Sequence, residues 1–133
     1  MNALFAEVFE DPDSYASRPP DDEYALGLLA REDTILLVAE HGDDVVGALA
    51  AYVLRKFEQA RSEVYIYDLA VRLDRQRQGV ATALIEELRH IARAFGAWVI
   101  YVQADTAPED APARALYDKL GTREEVLHFD IAP

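Results

Sequence analysis

The stretch from residue 63 to residue 88 constrains the fold of this chain most, because its hydrophobic period changes midway. Residues 63–71 (Glu-Val-Tyr-Ile-Tyr-Asp-Leu-Ala-Val) are mainly β-branched and aromatic, which predicts a strand buried on at least one face. Apolar residues then recur at helical spacing, at Val80, Leu84, Leu88, Ile91 and Phe95. The pattern therefore predicts a strand, a charged turn and an amphipathic helix in direct succession.

The turn between these two elements has the composition of a phosphate-binding loop. It consists of Arg-Leu-Asp-Arg-Gln-Arg-Gln over residues 72–78 and ends at Gly79. The first N–H groups of a helix lack an intrahelical acceptor, and the helix dipole favours an anion beside them. The loop has neither the Gly-Lys-Ser/Thr of nucleoside triphosphatases nor the Gly-x-Gly-x-x-Gly of dinucleotide folds. Two interpretations stay open: a pyrophosphate site, or an ordinary turn that needs glycine only for its tight backbone.

Composition narrows the classes of function. With 133 residues, 51% of them hydrophobic, the chain is expected to form a single domain over residues 1–133. It has no cysteine, which excludes disulfides, thiolate catalysis and cysteine-held metals, and agrees with a cytoplasmic location. The three histidines are scattered, so we predict no metal site. No apolar run approaches the length of a membrane span, and no secretory leader is expected.

The charge of the chain permits a cationic partner. It has 25 acidic and 13 basic residues, which give a formal net charge of −12. The negative electrostatic field of such a chain argues against nucleic acid and anionic membranes as partners and would attract a cationic small molecule. The acids are dense within residues 1–24, where Arg18 is the one basic residue. Solubility alone is the alternative explanation of an acidic chain.

Helical segments are predicted before the sheet. A short helix over residues 2–9 is expected to use Asn2 as its cap. Prolines interrupt residues 10–20, which are therefore predicted to form a loop. Asp21 or Asp22 is then expected to cap a second helix, whose apolar face contains Tyr24, Leu28 and Leu29.

The later segments predict an α/β fold with a mixed sheet. Three strands with short links form an antiparallel meander over residues 34–40, 45–54 and 63–71. The second strand is small-sided (Gly47, Ala48, Ala50 and Ala51), so that a helix can pack closely against it. The helix at 79–95 and a strand at 97–103 complete a right-handed crossover that makes this strand parallel to 63–71. A helix at 112–120 and a final strand at 122–131 are predicted to follow.

Two motifs give the chain a resemblance to a known family. The loop contains Gln-Arg-Gln-Gly-Val-Ala over residues 76–81, of the form Gln-x-x-Gly-x-Ala. The helix at 112–120 contains Ala-Arg-Ala-Leu-Tyr-Asp-Lys-Leu-Gly over residues 113–121, of the form Ala-x-x-Leu-Tyr-x-x-x-Gly. In both motifs, and in their separation, the chain resembles the GNAT acyl-CoA N-acetyltransferases. The resemblance implies a GNAT fold with acetyl-CoA as co-substrate, here without the family's usual first strand.

The resemblance also assigns residues to the coenzyme. In this family the loop amides bind the coenzyme A pyrophosphate, and the preceding strand pairs with the pantetheine arm. The residues implied to bind acetyl-CoA are Leu69, Ala70, Val71, Gln76, Arg77, Gln78, Gly79, Val80, Ala81, Thr82 and Tyr117. The phenol of Tyr117 is implied to protonate the departing thiolate, and the alternative is an aromatic that only packs on the helix.

Beyond the superfamily, most of the chain is similar to the aminoglycoside 3-N-acetyltransferases of the gentamicin/fortimicin type. The likeness is carried by residues 46–53, 57–63, 65–71, 99–105 and 123–131. It implies acetylation of the 3-amino group of a deoxystreptamine ring, and hence antibiotic resistance, by direct transfer in a ternary complex. The implied partner is a cationic aminoglycoside, and a homodimer is a further hypothesis. The alternatives are a polyamine or other small-amine acetyltransferase, and a non-catalytic acyl-CoA-binding module.

The implied chemistry requires a carboxylate that takes a proton from the acceptor amine, and backbone N–H groups near residues 69–71 that stabilise the oxyanion. Asp68 interrupts an apolar strand, either as an acceptor-site acid or as a structural carboxylate bonded within the sheet. Asp110 stands where the family usually has Asn, seven residues before Tyr117, so the identity of the base stays open. The catalytic candidates are Tyr117, Asp110 and Asp68. The substrate-binding candidates are Tyr65, Tyr67, Asp68, Asp105, Glu109, Asp110 and Asp130.

Overall fold

The computed structural model of the chain describes all 133 residues and contains one four-stranded sheet with helices. The α-helices are α1 (Asn2–Val8), α2 (Pro12–Tyr15), α3 (Asp22–Leu29), α4 (Val80–Ala94) and α5 (Ala111–Leu120). The strands are β1 (Thr34–His41), β2 (Asp44–Arg55), β3 (Ser62–Val71) and β4 (Val99–Val102). Two 3₁₀ turns lie at Leu73–Arg75 and Pro108–Asp110.

The chain divides into two compact units, Met1–Gln103 and Ala104–Pro133. The first unit contains the whole sheet together with α1 to α4. The second unit contains the turn at Pro108–Asp110 and α5. None of the helices is both long and apolar enough to cross a membrane.

The sheet has the predicted topology. Its strand order is β1-β2-β3-β4, in which β1, β2 and β3 form an antiparallel meander. Helix α4 then connects β3 to β4, and these two strands pair in parallel. The prediction of a mixed α/β sheet with a crossover through the phosphate-loop helix is therefore confirmed.

Helices cover both faces of the small-sided strand β2. On one face, a Cβ built on Gly47 would lie 2.7 Å from Val80 of α4, so glycine permits the close approach of this helix. On the other face, Ala48 and Ala50 pack against Leu4 and Phe5 of α1. The prediction that a helix packs closely against this strand is thus correct for α4. It is incomplete, because successive residues of a strand point to opposite faces and α1 packs against the second face.

Three predictions about local structure are wrong. The predicted loop at 10–20 contains α2, because Pro12 occupies the first turn and the carboxylate of Asp11 accepts a hydrogen bond from the Ser14 N–H (3.0 Å). Asn2 does not cap α1, since the cap position falls on Met1 and no side chain bonds there. The predicted strand at 122–131 is absent, because a strand forms only where its backbone has a ladder partner, and none of the four strands comes from this segment.

The predicted apolar face of the second helix exists but is not buried. Asp21 caps α3 by accepting a hydrogen bond from the Tyr24 N–H (2.8 Å), which settles the choice between the two candidate caps. Tyr24 and Leu29 are nevertheless mostly exposed, and only Ala25 and Leu28 are partly covered.

Candidate active site

The loop between β3 and α4 has the backbone of an anion-binding turn. Arg77 and Gly79 both have positive φ, 60° and 88°, and Gly79 is the cap residue of α4. Two side chains brace the loop, since Gln76 Nε2 donates to the Val71 carbonyl (3.2 Å) and Gln78 Nε2 donates to the Asp74 carbonyl (3.0 Å). The loop is therefore held in shape by its own residues.

The start of α4 offers unpaired donors to a ligand. The first intrahelical bond runs from the Ala83 N–H to the Gly79 carbonyl (2.9 Å), no side chain caps the helix, and its first turn contains no acid. The earlier N–H groups, at Val80, Ala81 and Thr82, thus meet the helix dipole without a competing carboxylate. A Cβ built on Gly79 would meet no atom within 4 Å, so the space before the loop is open. This arrangement fits a pyrophosphate group.

The edge of β3 beyond Ile66 lacks a strand partner on the β4 side. Strand β4 pairs only with residues 63–66 of β3, whereas β2 pairs with β3 as far as Val71. The backbone of residues 67–71 is therefore free of any strand along this edge, immediately before the anion-binding loop. The predicted coenzyme-binding residues Leu69, Ala70 and Val71 lie on this free edge.

An irregularity in the β2–β3 ladder brings the predicted acceptor residues to one face. The register slips between Ala50 and Ala51, so that Ala50 faces Asp68, Tyr52 faces Tyr65, and Tyr67 has no partner. Directly opposed residues share a face, and so do residues two apart in one strand. Tyr65 and Asp68 are three positions apart and would lie on opposite faces of a regular strand, and the bulge places them on the same one.

Asp68 is half-buried and has one hydrogen-bond donor. The hydroxyl group of Tyr15, in α2, donates to Oδ1 of Asp68 across 2.5 Å. Burial raises the pKa of the Asp68 carboxyl, and the hydrogen bond from Tyr15 partly offsets this. Burial and the bond to Asp68 raise the pKa of Tyr15, which therefore stays protonated as a donor at neutral pH. No Lys or Arg pairs with Asp68.

Four tyrosines form an aromatic surface beside Asp68, which we name the tyrosine platform: Tyr52, Tyr65, Tyr67 and Tyr101. Tyr67 meets Tyr52 and Tyr65 edge-on, with ring centroids 5.9 and 5.7 Å apart. Tyr65 stacks on Tyr101 at 4.9 Å and donates to the Gln103 amide oxygen (2.9 Å). Tyr67 is 62% exposed, so the platform is open to a ligand. Rings and phenol groups of this kind suit a polyhydroxylated or amino-substituted ligand.

The second unit contains the remaining catalytic candidates. Asp110 is the cap residue of α5, and Tyr117 lies seven residues later on the same helix, where it is half-buried. Burial raises the pKa of Tyr117, and the charge of Asp110 adds to the effect. A phenol with a raised pKa stays protonated at neutral pH, which is the form that a proton donor requires.

The other acids predicted for substrate binding differ in their surroundings. Asp105 and Glu109 are exposed residues of the segment before α5, where Arg114 donates to the carbonyls of Asp105 and Ala107. Asp130 is fully exposed in a segment without regular structure, where its Oδ1 lies 3.4 Å from Nε2 of His128. Within the first unit, the structure therefore groups Tyr65, Tyr67 and Asp68 with each other.

Sequence reasoning missed Tyr15, Tyr52 and Tyr101. No local pattern marks Tyr15, because it lies 53 residues from its partner Asp68 and within a segment predicted to be a loop. Tyr52 and Tyr101 belong to predicted strands, and their alternation with apolar residues was the available signal. Pairing these strands in register would have placed both beside Tyr65.

Comparison with known proteins identifies relatives of this chain. L-2,4-diaminobutyric acid acetyltransferase of Shouchella clausii (strain KSM-K16) is 30% identical over 88 residues, which are 66% of this chain and 47% of the relative, so the match spans about half of its length. The crystal structure of an aminoglycoside acetyltransferase from an uncultured soil metagenomic sample superposes with a TM-score of 0.97 at 55% identity, covering 99% of this chain and 87% of that one.

A second aminoglycoside acetyltransferase from an uncultured soil sample, solved in complex with sisomicin, is 32% identical. It superposes with a TM-score of 0.88 over 98% of this chain and 84% of its own. The model of the acetyltransferase (GNAT) family matches residues 1–122, which include the loop at Gly79 and the helix that carries Tyr117. Enzymes of this family use acetyl-CoA as acetyl donor. This chain belongs to the GNAT acetyltransferase family.

Proposed function

We propose that this acetyltransferase transfers the acetyl group of acetyl-CoA to an aminoglycoside, at the 3-amino group of its deoxystreptamine ring. The observation that carries the proposal is Asp68, a half-buried carboxylate on the open tyrosine platform with no cation beside it. An ammonium group of the acceptor would supply the missing charge partner. The two metagenomic aminoglycoside acetyltransferases, similar over nearly the whole chain, support this acceptor class.

The proposed chemistry is direct transfer in a ternary complex. The neutral amine attacks the thioester carbonyl, and a carboxylate, Asp68 or Asp110, receives the proton that the amine loses. N–H groups of the free edge at residues 69–71 stabilise the oxyanion that forms. When the C–S bond breaks, the phenol of Tyr117 protonates the thiolate, so that coenzyme A and the acetamide leave as neutral thiol and amide. The chain has no cysteine to carry an acetyl intermediate.

The test is acceptor-dependent release of the coenzyme A thiol from acetyl-CoA. Gentamicin and spermidine are offered in parallel, and the product is examined by mass spectrometry and NMR to locate the acetyl group. We expect release with gentamicin, a mass gain of one acetyl group and acetylation of the 3-amino group. Acetylation at another amine would overturn the regiochemistry alone, and release with spermidine only would overturn the aminoglycoside assignment.

A small diamine is the second candidate acceptor. A compact diamine would also fill the place beside Asp68, and the Shouchella relative is named for acetylation of a diamino acid. An aminoglycoside is the better candidate, because the exposed tyrosine platform is wider than a compact diamine needs. Including 2,4-diaminobutyrate in the assay separates the two acceptors.

Location and assembly form part of the same proposal. Because acetyl-CoA is the donor, we expect the enzyme to work in the cytoplasm. We also propose a homodimer, since apolar side chains at residues 126–131 remain exposed: Val126, Leu127, Phe129 and Ile131. A monomeric mass by light scattering would contradict the dimer.

A further inference from the structure

We propose that Tyr15 is a positioning residue of the acceptor site: its hydrogen bond to Oδ1 of Asp68 holds the carboxylate so that the remaining lone pairs receive the acceptor ammonium. The inference deepens the proposed function and rests on it. It adds a residue that no motif marks, from a short helix outside the coenzyme-binding loop.

The ring of Tyr15 is held firmly enough to orient another side chain. Phe5 and Phe9 stack on each other at 5.6 Å, and both contact the Tyr15 ring, at 5.5 and 5.6 Å. Helix α2 is itself capped by Asp11, which fixes the backbone that carries Tyr15. Since Phe5 is a buried core residue, the cluster ties the phenol to the centre of the first unit.

One phenol cannot satisfy this carboxylate. An ionised carboxylate offers about four lone-pair sites, and Tyr15 supplies a single O–H donor. A partly desolvated carboxylate with unfilled sites is costly unless a donor or a cation completes it. The charge-assisted N–H donors of an ammonium would do so, while Tyr15 keeps the carboxylate from rotating.

The groups that face Asp68 are phenols rather than cations. Tyr15 approaches from α2, Tyr52 from β2, and Tyr65 and Tyr67 from β3 itself, whereas Asp11 acts on Tyr15. The charge of Asp68 raises the pKa of both Tyr52 and Tyr65, in addition to burial. Tyr15, Tyr52 and Tyr65, whose pKa values are all raised, therefore stay neutral near pH 7, and Tyr15 is the one with a hydrogen bond to the carboxylate.

The variant Tyr15→Phe removes the donor and keeps the ring in its aromatic cluster. Because the hydrogen bond lowers the pKa of Asp68, its loss raises that pKa further. The acidic limb of kcat/KM for the acceptor should then move to higher pH. We expect the acceptor KM to rise about tenfold, the effect of losing one hydrogen bond to a charged group. The KM for acetyl-CoA should not change.

The matched control is Tyr24→Phe, the same change at an exposed residue of α3 whose hydroxyl group has no hydrogen bond. Kinetics for both substrates are measured across pH, and the Asp68 carboxyl is titrated by NMR in the protein without substrates. We expect Tyr24→Phe to match the unmodified enzyme. A purely structural role for Tyr15 would lower the melting temperature and leave the acceptor KM and the Asp68 titration unchanged.

The outcomes separate this inference from the proposed function. If the unmodified enzyme acetylates the aminoglycoside and Tyr15→Phe has the same acceptor KM, acidic limb and Asp68 titration, the inference is overturned and the function stands. If the unmodified enzyme acetylates no amine, the proposed function falls. Comparison of the Asp68 titration between Tyr15→Phe and the unmodified protein then tests whether Tyr15 acts on Asp68. An unshifted titration would then overturn the inference as well.

Discussion

Gly47 lies where β2 meets the start of α4, and a single added methyl group there should disturb the anion-binding loop from a distance. A Cβ at this position would lie 2.7 Å from Cγ1 of Val80, 3.2 Å from Cδ1 of Leu84 and 3.4 Å from Cβ of Ala39. Ordinary contacts begin at 3.4 Å, so Val80 would have to retreat by about 0.7 Å. The Val80 side chain is β-branched, so its χ1 angle is restricted and it cannot rotate away from the clash. The start of the helix would therefore have to move.

The variant Gly47→Ala should therefore lose both stability and coenzyme affinity. Overpacking of a well-packed interface costs about 1–3 kcal/mol, and we expect a loss in this range in urea denaturation, with an unchanged m-value. Val80 follows Gly79 directly, so its displacement carries the donor N–H groups away from the position expected for the pyrophosphate. We expect coenzyme A to bind about tenfold more weakly, measured by calorimetry.

A second glycine supplies the control. Gly27 lies in α3 with nothing within 4 Å of its built Cβ, so Gly27→Ala should be neutral or stabilising by up to about 1 kcal/mol. The double variant Gly47→Ala/Val80→Ala removes the clashing Cγ1 and should be less destabilised than the sum of the single variants. Unchanged stability of Gly47→Ala, or simple additivity of the double variant, would refute the clash.

Three further predictions concern the site itself. Gly79→Trp should abolish coenzyme A binding by filling the open space before the loop, whereas Gly79→Ala bears the same positive-φ strain without that bulk and should still bind. Tyr117→Phe should lower turnover about 100-fold with nearly unchanged coenzyme A affinity, and full turnover would remove its role as general acid. Asp68→Asn should abolish acceptor-dependent turnover and raise the melting temperature at pH 7. Burial raises the pKa of Asp68 in the folded state, so the ionised carboxylate disfavours folding. The gain in melting temperature should therefore vanish as the pH falls below the unfolded-state pKa of about 4. An equal gain at pH 3 and pH 7 would contradict the linkage.

Local signals in the sequence were sufficient for the loop before α4 and for most elements. The change of period from strand to helix, with glycine at the junction, correctly predicted β3, the loop and α4, because each signal depends on residues a few positions apart. Gly79 has the positive φ for which glycine is suited. The two motifs likewise led to the family that the comparison confirms.

Local signals failed where pairing or context decided the structure. Pro12 suggested a break, yet proline in a first turn is compatible with a helix once Asp11 caps it. A strand was predicted at 122–131, but a segment's own residues do not supply the backbone partner that a strand needs.

The sequence by itself determined the order of the elements, the glycine-containing loop before α4 and the family, because these depend on periodicity and on backbone preferences of single residues. Only the tertiary structure decided which residues share the proposed acceptor face. It required the slipped register that turns Tyr65, Tyr67 and Asp68 to one side, and a hydrogen bond from Tyr15 over 53 residues of chain. Neither feature has a local signature, since both arise only when strands pair and helices pack over them.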